Sequence, residues 1–228
     1  MSFLAWLSSR SLKLSIGTAI SFFVIGYFGM WKDTMSTMAI ISVATLICLI
    51  IGTPIGVLMA RSERLKNILS PVLDMMQTIP TFVYLIPIIM LLGIGKVPGL
   101  LAVCVYAIPP IVRLTNLGIR EVDRRVVEAA KALGIKKRII LFKIEIPLAL
   151  PSIMTGVNQT IMMALAMVVI ASMIGVSGLG VPILRSISNQ FLALGLMNGL
   201  AIVALAIIFD RISQNYARRI QKHKEAKK

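Results

Sequence analysis

The sequence is poor in the residues that carry chemistry. Its one histidine, His223, lies in a charged tail, so a metal site built on imidazoles is excluded. Its two cysteines, Cys48 and Cys104, sit inside apolar runs and read as small core hydrophobes, not as a disulfide framework. No HExxH and no G-x-S-x-G occurs, and no pair of acids lies mid-span where it could form an intramembrane catalytic dyad. "GIGKV" (Gly93–Val97) resembles a piece of a phosphate loop. Met90 stands where its first glycine belongs, however, and Val97 replaces the hydroxyl, which rules out ATP binding by that route. The chain reads as no enzyme and calls for no cofactor of its own.

Charge is scarce and lopsided. Only 14% of the 228 residues are charged, where soluble domains average about a quarter, and mean hydropathy is +0.90. There are 24 Lys and Arg against 9 Asp and Glu. The acids nearest to spans, Asp74 and Asp210, fall beside basic clusters and are expected in interfacial ion pairs. Without a carboxylate in mid-membrane, an ion-coupled carrier lacks its coupling group.

What is abundant is hydrocarbon. A crossing needs roughly 20 apolar residues. Five charge-free runs approach or exceed that: Leu14–Trp31, Thr34–Ala60, Met75–Gly95, Ile146–Leu184 and Ser186–Phe209. A sixth, Val97–Val112, extends past Arg113 toward Asn116 because an arginine at a helix end can snorkel. The pattern predicts an all-α polytopic membrane protein of about six spans, the third and fourth joined by the tight "GIGKVPG" turn. Ile146–Leu184 is too long for one crossing, and "GVSGLGVP" (Gly175–Pro182) predicts a break near Ile174 followed by an irregular external segment. The first run, without a small-residue cleavage pattern, reads as an uncleaved anchor, with Trp6 and Trp31 as interface anchors at its ends.

Placing the segment around Glu128 in the cytoplasm puts 21 of the 24 bases inside and both termini cytoplasmic. The basic excess is then a topological signal on a lipid-contacting protein, and it argues against nucleic acid as a partner. The connection from about Leu117 to Ile146 is long for such a protein. In "RRVVEAAKAL" strong helix formers carry Val126, Val127, Ala130 and Leu133 on one face, and Gly134 supplies a C-cap. "KKRIILFKIEIP" then starts a second helix, apolar on one side, and Pro147 marks entry to the next span. Such a pair could lie on anionic lipid, pack under its own bundle, or dock a partner.

Glu128-Ala129-Ala130, Gly134 and Ile144-x-Ile146-Pro147 resemble the EAA signature of ABC importer permeases: Glu-Ala-Ala, three residues, Gly, nine residues, Ile-x-Leu-Pro. The spacing matches throughout; Ile146 replaces leucine. "QTIPTFVYLIPIIMLLGIGKVPG", "IPPIVRLTNLGI" and "GVNQTIMMALAMVVIASMIGVSGLG" resemble the permease of glycine betaine/proline-type osmoprotectant importers, a likeness running from about Thr34 to Asp210. About 13 residues precede the first span, where some members of that family carry a long N-terminal extension.

The resemblance implies a single type I ABC importer permease domain over residues 1–228. Its core spans about 34–210, with a cytoplasmic EAA loop at about 117–146 and a basic tail at 211–228. It further implies a coupling helix that meets two cytoplasmic ATPase subunits, where Mg-ATP binds. By that likeness Glu128, Ala129, Ala130 and Gly134 carry the coupling role, flanked by Lys131 and Arg125. An external binding protein and a second permease copy, most simply in a homodimer, would complete the importer in a bacterial cytoplasmic membrane.

For the substrate path the candidates are polar or helix-breaking residues in apolar surroundings: Gln77, Thr78, Pro80, Tyr84, Pro87, Pro109, Pro110, Asn116, Asn158, Gln159 and Thr160. Hydrogen bonding between helices is the competing role for each. Aromatics make up 6% and do not cluster along the sequence, so a cation–π cage for a quaternary ammonium is not expected in this chain. A permease for amino acids or another small solute, and an ATPase-independent carrier, are the alternatives the sequence leaves open.

Overall fold

The computed structural model describes residues 12–225, with side chains described for 16–215. Trp6 lies outside the described residues. Leu12–Tyr27 forms α1 and Trp31–Arg61 forms α2, separated by a turn in which Gly29 takes φ +71°. Trp31 therefore opens the second helix rather than closing the first span, and its ring meets Phe22 edge-on at 6.1 Å.

The buried side of α2 reads Thr34, Thr37, Met38, Ile41, Ala44, Thr45, Cys48, Gly52, Gly56 and Met59, the three-to-four spacing of one helix face. That face packs on α5 (Lys96–Arg120), which packs in turn on α8 (Ile146–Ala171). The seams are made of small residues, as membrane helices need for close approach. A Cβ added at Gly56 would lie 2.6 Å from Thr115 Cβ and 2.7 Å from the Val112 carbonyl oxygen. One at Gly118 would lie 2.6 Å from Ser152 Cβ. Cys48 and Cys104 are buried where α2 and α5 meet. Pro109 and Pro110 were expected to break a helix, yet α5 runs through both, and they lie buried against protein.

Between α2 and α5 the expected single span Met75–Gly95 is two helices. Glu63–Thr78 (α3) and Thr81–Leu92 (α4) meet at 100°. Proline disfavours the α conformation in the residue before it, and here Ile79 sits at φ −66°, ψ 129°. The carbonyl of Met76 would ordinarily accept from the N–H four residues on, which Pro80 lacks; the Tyr84 hydroxyl donates to it instead. After α4 the chain turns at Gly93, φ +75°, and the Gly95 N–H donates to Ile174 O at 2.9 Å.

Arg124–Ala132 is α6. Next come Lys137–Ile140 (α7), a π turn over Leu141–Glu145, and α8, in one run from Lys137 to Ile174. Pro147 stands in the first turn of the span, as expected, and the helix before it runs into the span without a gap. The π turn shifts the hydrogen-bond register just before a residue with no N–H to give and a ring that would press on the preceding turn.

At the other end Ser172–Ile174 tightens into a 3-10 turn, and Gly175 (φ +89°) and Gly178 (φ +142°) make the predicted break. The segment beyond is not irregular as expected. Gly180–Ser188 is a helix, α9, with Pro182 in its first turn, and the last span begins at Leu192, not Ser186 (α10, Leu192–Glu225). Leu179 N–H donates to Thr37 Oγ1 at 2.9 Å, tying this loop back to α2.

Among the described residues α2, α5, Lys137–Ile174 and Leu192–Asn215 are long and apolar enough to cross a membrane. The bent α3–α4 pair makes a fifth candidate; the sixth expected span, at the start of the chain, is represented among the described residues only by the shorter apolar stretch Ile16–Tyr27.

Candidate coupling site and substrate path

The segment carrying the EAA residues is a short, well-closed helix. Asp123 caps α6, its Oδ1 accepting from the Arg125 N–H at 2.9 Å. At the far end Gly134 N–H donates to Lys131 O at 2.9 Å and Ile135 N–H to Ala130 O at 3.2 Å, with Gly134 at φ +73°. Those two bonds are the Schellman closure, and the positive φ is what glycine supplies at that place. Ala130 is buried against the body of the protein; Arg125, Glu128, Ala129, Lys131 and Gly134 are exposed. The helix therefore presents an outward face bearing a carboxylate, a methyl and two cations. The apolar face differs from that read in the sequence: Val122 and Ala130 are buried and Val127 half-buried, while Val126 is 42% and Leu133 79% exposed.

Alongside α6 lies an open cleft of about 290 Å³ whose polar lining includes Arg120, Arg124, Glu128, Lys131 and Glu145. The base of the bundle around it is held by ions. Arg120 pairs with Glu63 and also donates to Asn116 Oδ1 and the Met59 carbonyl, each at 2.9 Å. Arg113 pairs with Asp74. The two pairs strap α3 along α5. A third pair, Arg61–Glu145 at 2.7 Å, joins the end of α2 to the π turn. Asp74 was expected in such a pair; Glu63 and Glu145 were not singled out in the sequence. Glu145 within the apolar "KIEIP" was the available sign, because an acid next to a span asks for a base.

The path candidates divide. Gln77, Thr78 and Pro80 are exposed together at the α3–α4 break. Tyr84 is buried beside them and stacks edge-on against Tyr106, centroids 6.0 Å apart, an aromatic pair that the sequence order concealed. Pro87 is exposed on α4. Asn158 is drawn the other way: its Nδ2 donates to Asp210 Oδ1 on α10 at 2.7 Å, while its own Oδ1 is buried without a partner. Gln159 is exposed, and Thr160 is buried. Asp74 is in the ion pair expected of it. Asp210 accepts from two amides, Asn158 and Gln214, where an ion pair was expected.

Solved structures place the fold. The MetNI methionine ABC transporter in an inward-facing conformation superposes with a TM-score of 0.75 at 20% identity, over 83% of this chain and 94% of that one. An amino acid ABC transporter with histidines gives 0.70 at 21%, over 86% and 96%. The architecture is that of a type I ABC importer permease.

Residues 52–222 match the family described as "Binding-protein-dependent transport system inner membrane component", and the chain belongs to it as a multi-pass membrane transport component. It is 48% identical over 215 residues to the glycine betaine/proline betaine transport system permease protein ProW of Escherichia coli K12, covering 94% of this chain and 60% of that protein. The glycine betaine transport system permease protein OpuAB of Bacillus subtilis 168 is 42% identical, over 92% of this chain and 74% of that protein. For the glycine betaine/carnitine transport permease protein GbuB of Listeria monocytogenes the figures are 43%, 94% and 77%. The chain thus spans about 60% of the length of the ProW proteins it matches.

Proposed function

We propose that the chain is the membrane-spanning subunit of an ABC importer for betaine-like quaternary ammonium or zwitterionic osmolytes. In this reading two copies enclose the path and α6 docks into a pair of cytoplasmic ATPase subunits that hold Mg-ATP. An external binding protein delivers the solute, and both termini face the cytoplasm of a bacterial cell. The observation that carries the reading is the outward face of α6, a rigid helix closed at Gly134 and mounted on the base of the fifth span. A lever must be stiff, and caps at both ends of a nine-residue helix make it so. The solute class rests on the relatives named above. Quaternary ammoniums need no fixed counter-charge in transit, which suits a bundle in which Asp74 and Glu145 are held in ion pairs and Asp210 accepts from amides.

The test is purification in mild detergent of the wild type and of Gly134→Arg from the native membrane. The reading expects an ATP-binding subunit with the first and little with the second. Reconstituted complex should then take up labelled glycine betaine on ATP addition. Uptake of an amino acid in preference to betaines would leave the importer and overturn the solute class. Uptake without ATP would make the chain a carrier in its own right.

A further inference from the structure

We propose that Arg61 and Glu145 form the positioning contact by which movement of α6 reaches the second span as well as the fifth; this rests on the reading of α6 as the coupling helix. Of the ion pairs among the described residues, only this one joins the segment after Gly134 to another helix; two of the others strap α3 to α5 and one lies within α3. One Arg61 nitrogen, Nη2, donates to Glu145 Oε2 at 2.7 Å and reaches the Lys137 carbonyl at 3.4 Å. The guanidinium therefore brackets the stretch between the Gly134 turn and the span, at its first turn and at its π turn.

Glu145 is 9% exposed and its side chain 11%, so the pair is shielded on the carboxylate side and weaker screening gives it directional stiffness. The π turn supplies the complement. A π turn is a weak point in a helix ladder, and here it lies between the lever and the span. Without a tie at Glu145, a push on α6 would be taken up by bending there. With it, the push is shared with α2, whose glycine seam locks it to α5. Arg120, Arg124 and Lys131 line the same cleft as Glu145. Those cations are held on α5 and α6 themselves, so a carboxylate that swung to them would lose the link to α2.

The experiment uses the full importer reconstituted with its ATPase and labelled glycine betaine. The readouts are substrate carried per ATP hydrolysed, the half-saturating substrate concentration and recovery of the ATPase. Glu145→Gln and Arg61→Gln are expected to assemble and hydrolyse ATP while carrying about tenfold less substrate per ATP, within the usual span of coupling energies. Half-saturation should not move. Glu145→Asp should recover part of the loss, and the exchange Arg61→Glu with Glu145→Arg should recover most of it, which a role in folding alone would not produce. Normal coupling in Glu145→Gln, or an exchange variant no better than its single changes, overturns the proposal. A wild type that brings down no ATPase would overturn the coupling-helix reading and this role with it.

Discussion

Replacing Gly56 by alanine adds a single methyl, and the structure says where it goes. The new Cβ would stand 2.6 Å from Thr115 Cβ and 2.7 Å from the Val112 carbonyl oxygen. Against ordinary contact of about 3.5 Å, both are short by roughly 0.8 Å. One of the two atoms is backbone, so no rotamer relieves it, and α2 and α5 must part. Overpacking of this kind costs about 1–3 kcal/mol. Alanine returns about 1 kcal/mol through its better helix propensity, which leaves a net loss of up to about 2 kcal/mol.

Gly199 is the matched control, since a Cβ there meets nothing within 4 Å and only the propensity gain of about 1 kcal/mol remains. At about 2–4 °C per kcal/mol for a chain of this size, Gly56→Ala should lower the melting temperature by up to about 8 °C. Gly199→Ala should raise it by about 2–4 °C. The two cysteines are buried 0% and 7% exposed on the same seam, so a thiol-reactive dye in detergent reports the opening directly. If Gly56→Ala melts with or above the wild type, the close approach of α2 to α5 is wrong.

Three further outcomes are expected. Tyr84→Phe removes the hydroxyl that satisfies the Met76 carbonyl, at about 1–3 kcal/mol, and should speed proteolysis near Ile79–Pro80 more than Tyr106→Phe does. Asp210→Ala strands the Asn158 amide; a double-mutant cycle with Asn158→Ala in thermal melts should show coupling of about 0.5–3 kcal/mol, and additive losses would disprove the link. Gly134→Ala, strained at φ +73° but adding no charge, should retain more ATPase in co-purification than Gly134→Arg; equal loss would point to the turn itself rather than to the docking face.

Periodicity and composition made the α2, α5 and α8 spans legible, because a charge-free run in lipid has few alternatives to helix. The glycine at 134 was legible because helix closure has a local signature. What the sequence hid depends on partners far along the chain. "QTIPTF" permits either a kinked helix or a full corner, and the difference is decided by the Tyr84 hydroxyl and by salt bridges from α3 to α5. Pro147 looks like a boundary, yet a π turn precedes it and the helix runs on into the span. Asp210 sits beside bases in sequence, while in space two amides reach it first. Tyr84 and Tyr106 pair across two helices, which a scan for local clustering passes over.

The 12-residue length of α4 has a consequence for the barrier itself. At 1.5 Å per residue it reaches about 18 Å, whereas the hydrocarbon slab is about 30 Å thick. Alone α4 is too short to line a crossing, and Gln77 and Thr78 stand exposed at the corner that precedes it. On the proposed path, a solute would meet polar groups at that corner, which shortens the apolar stretch over which it must go without water.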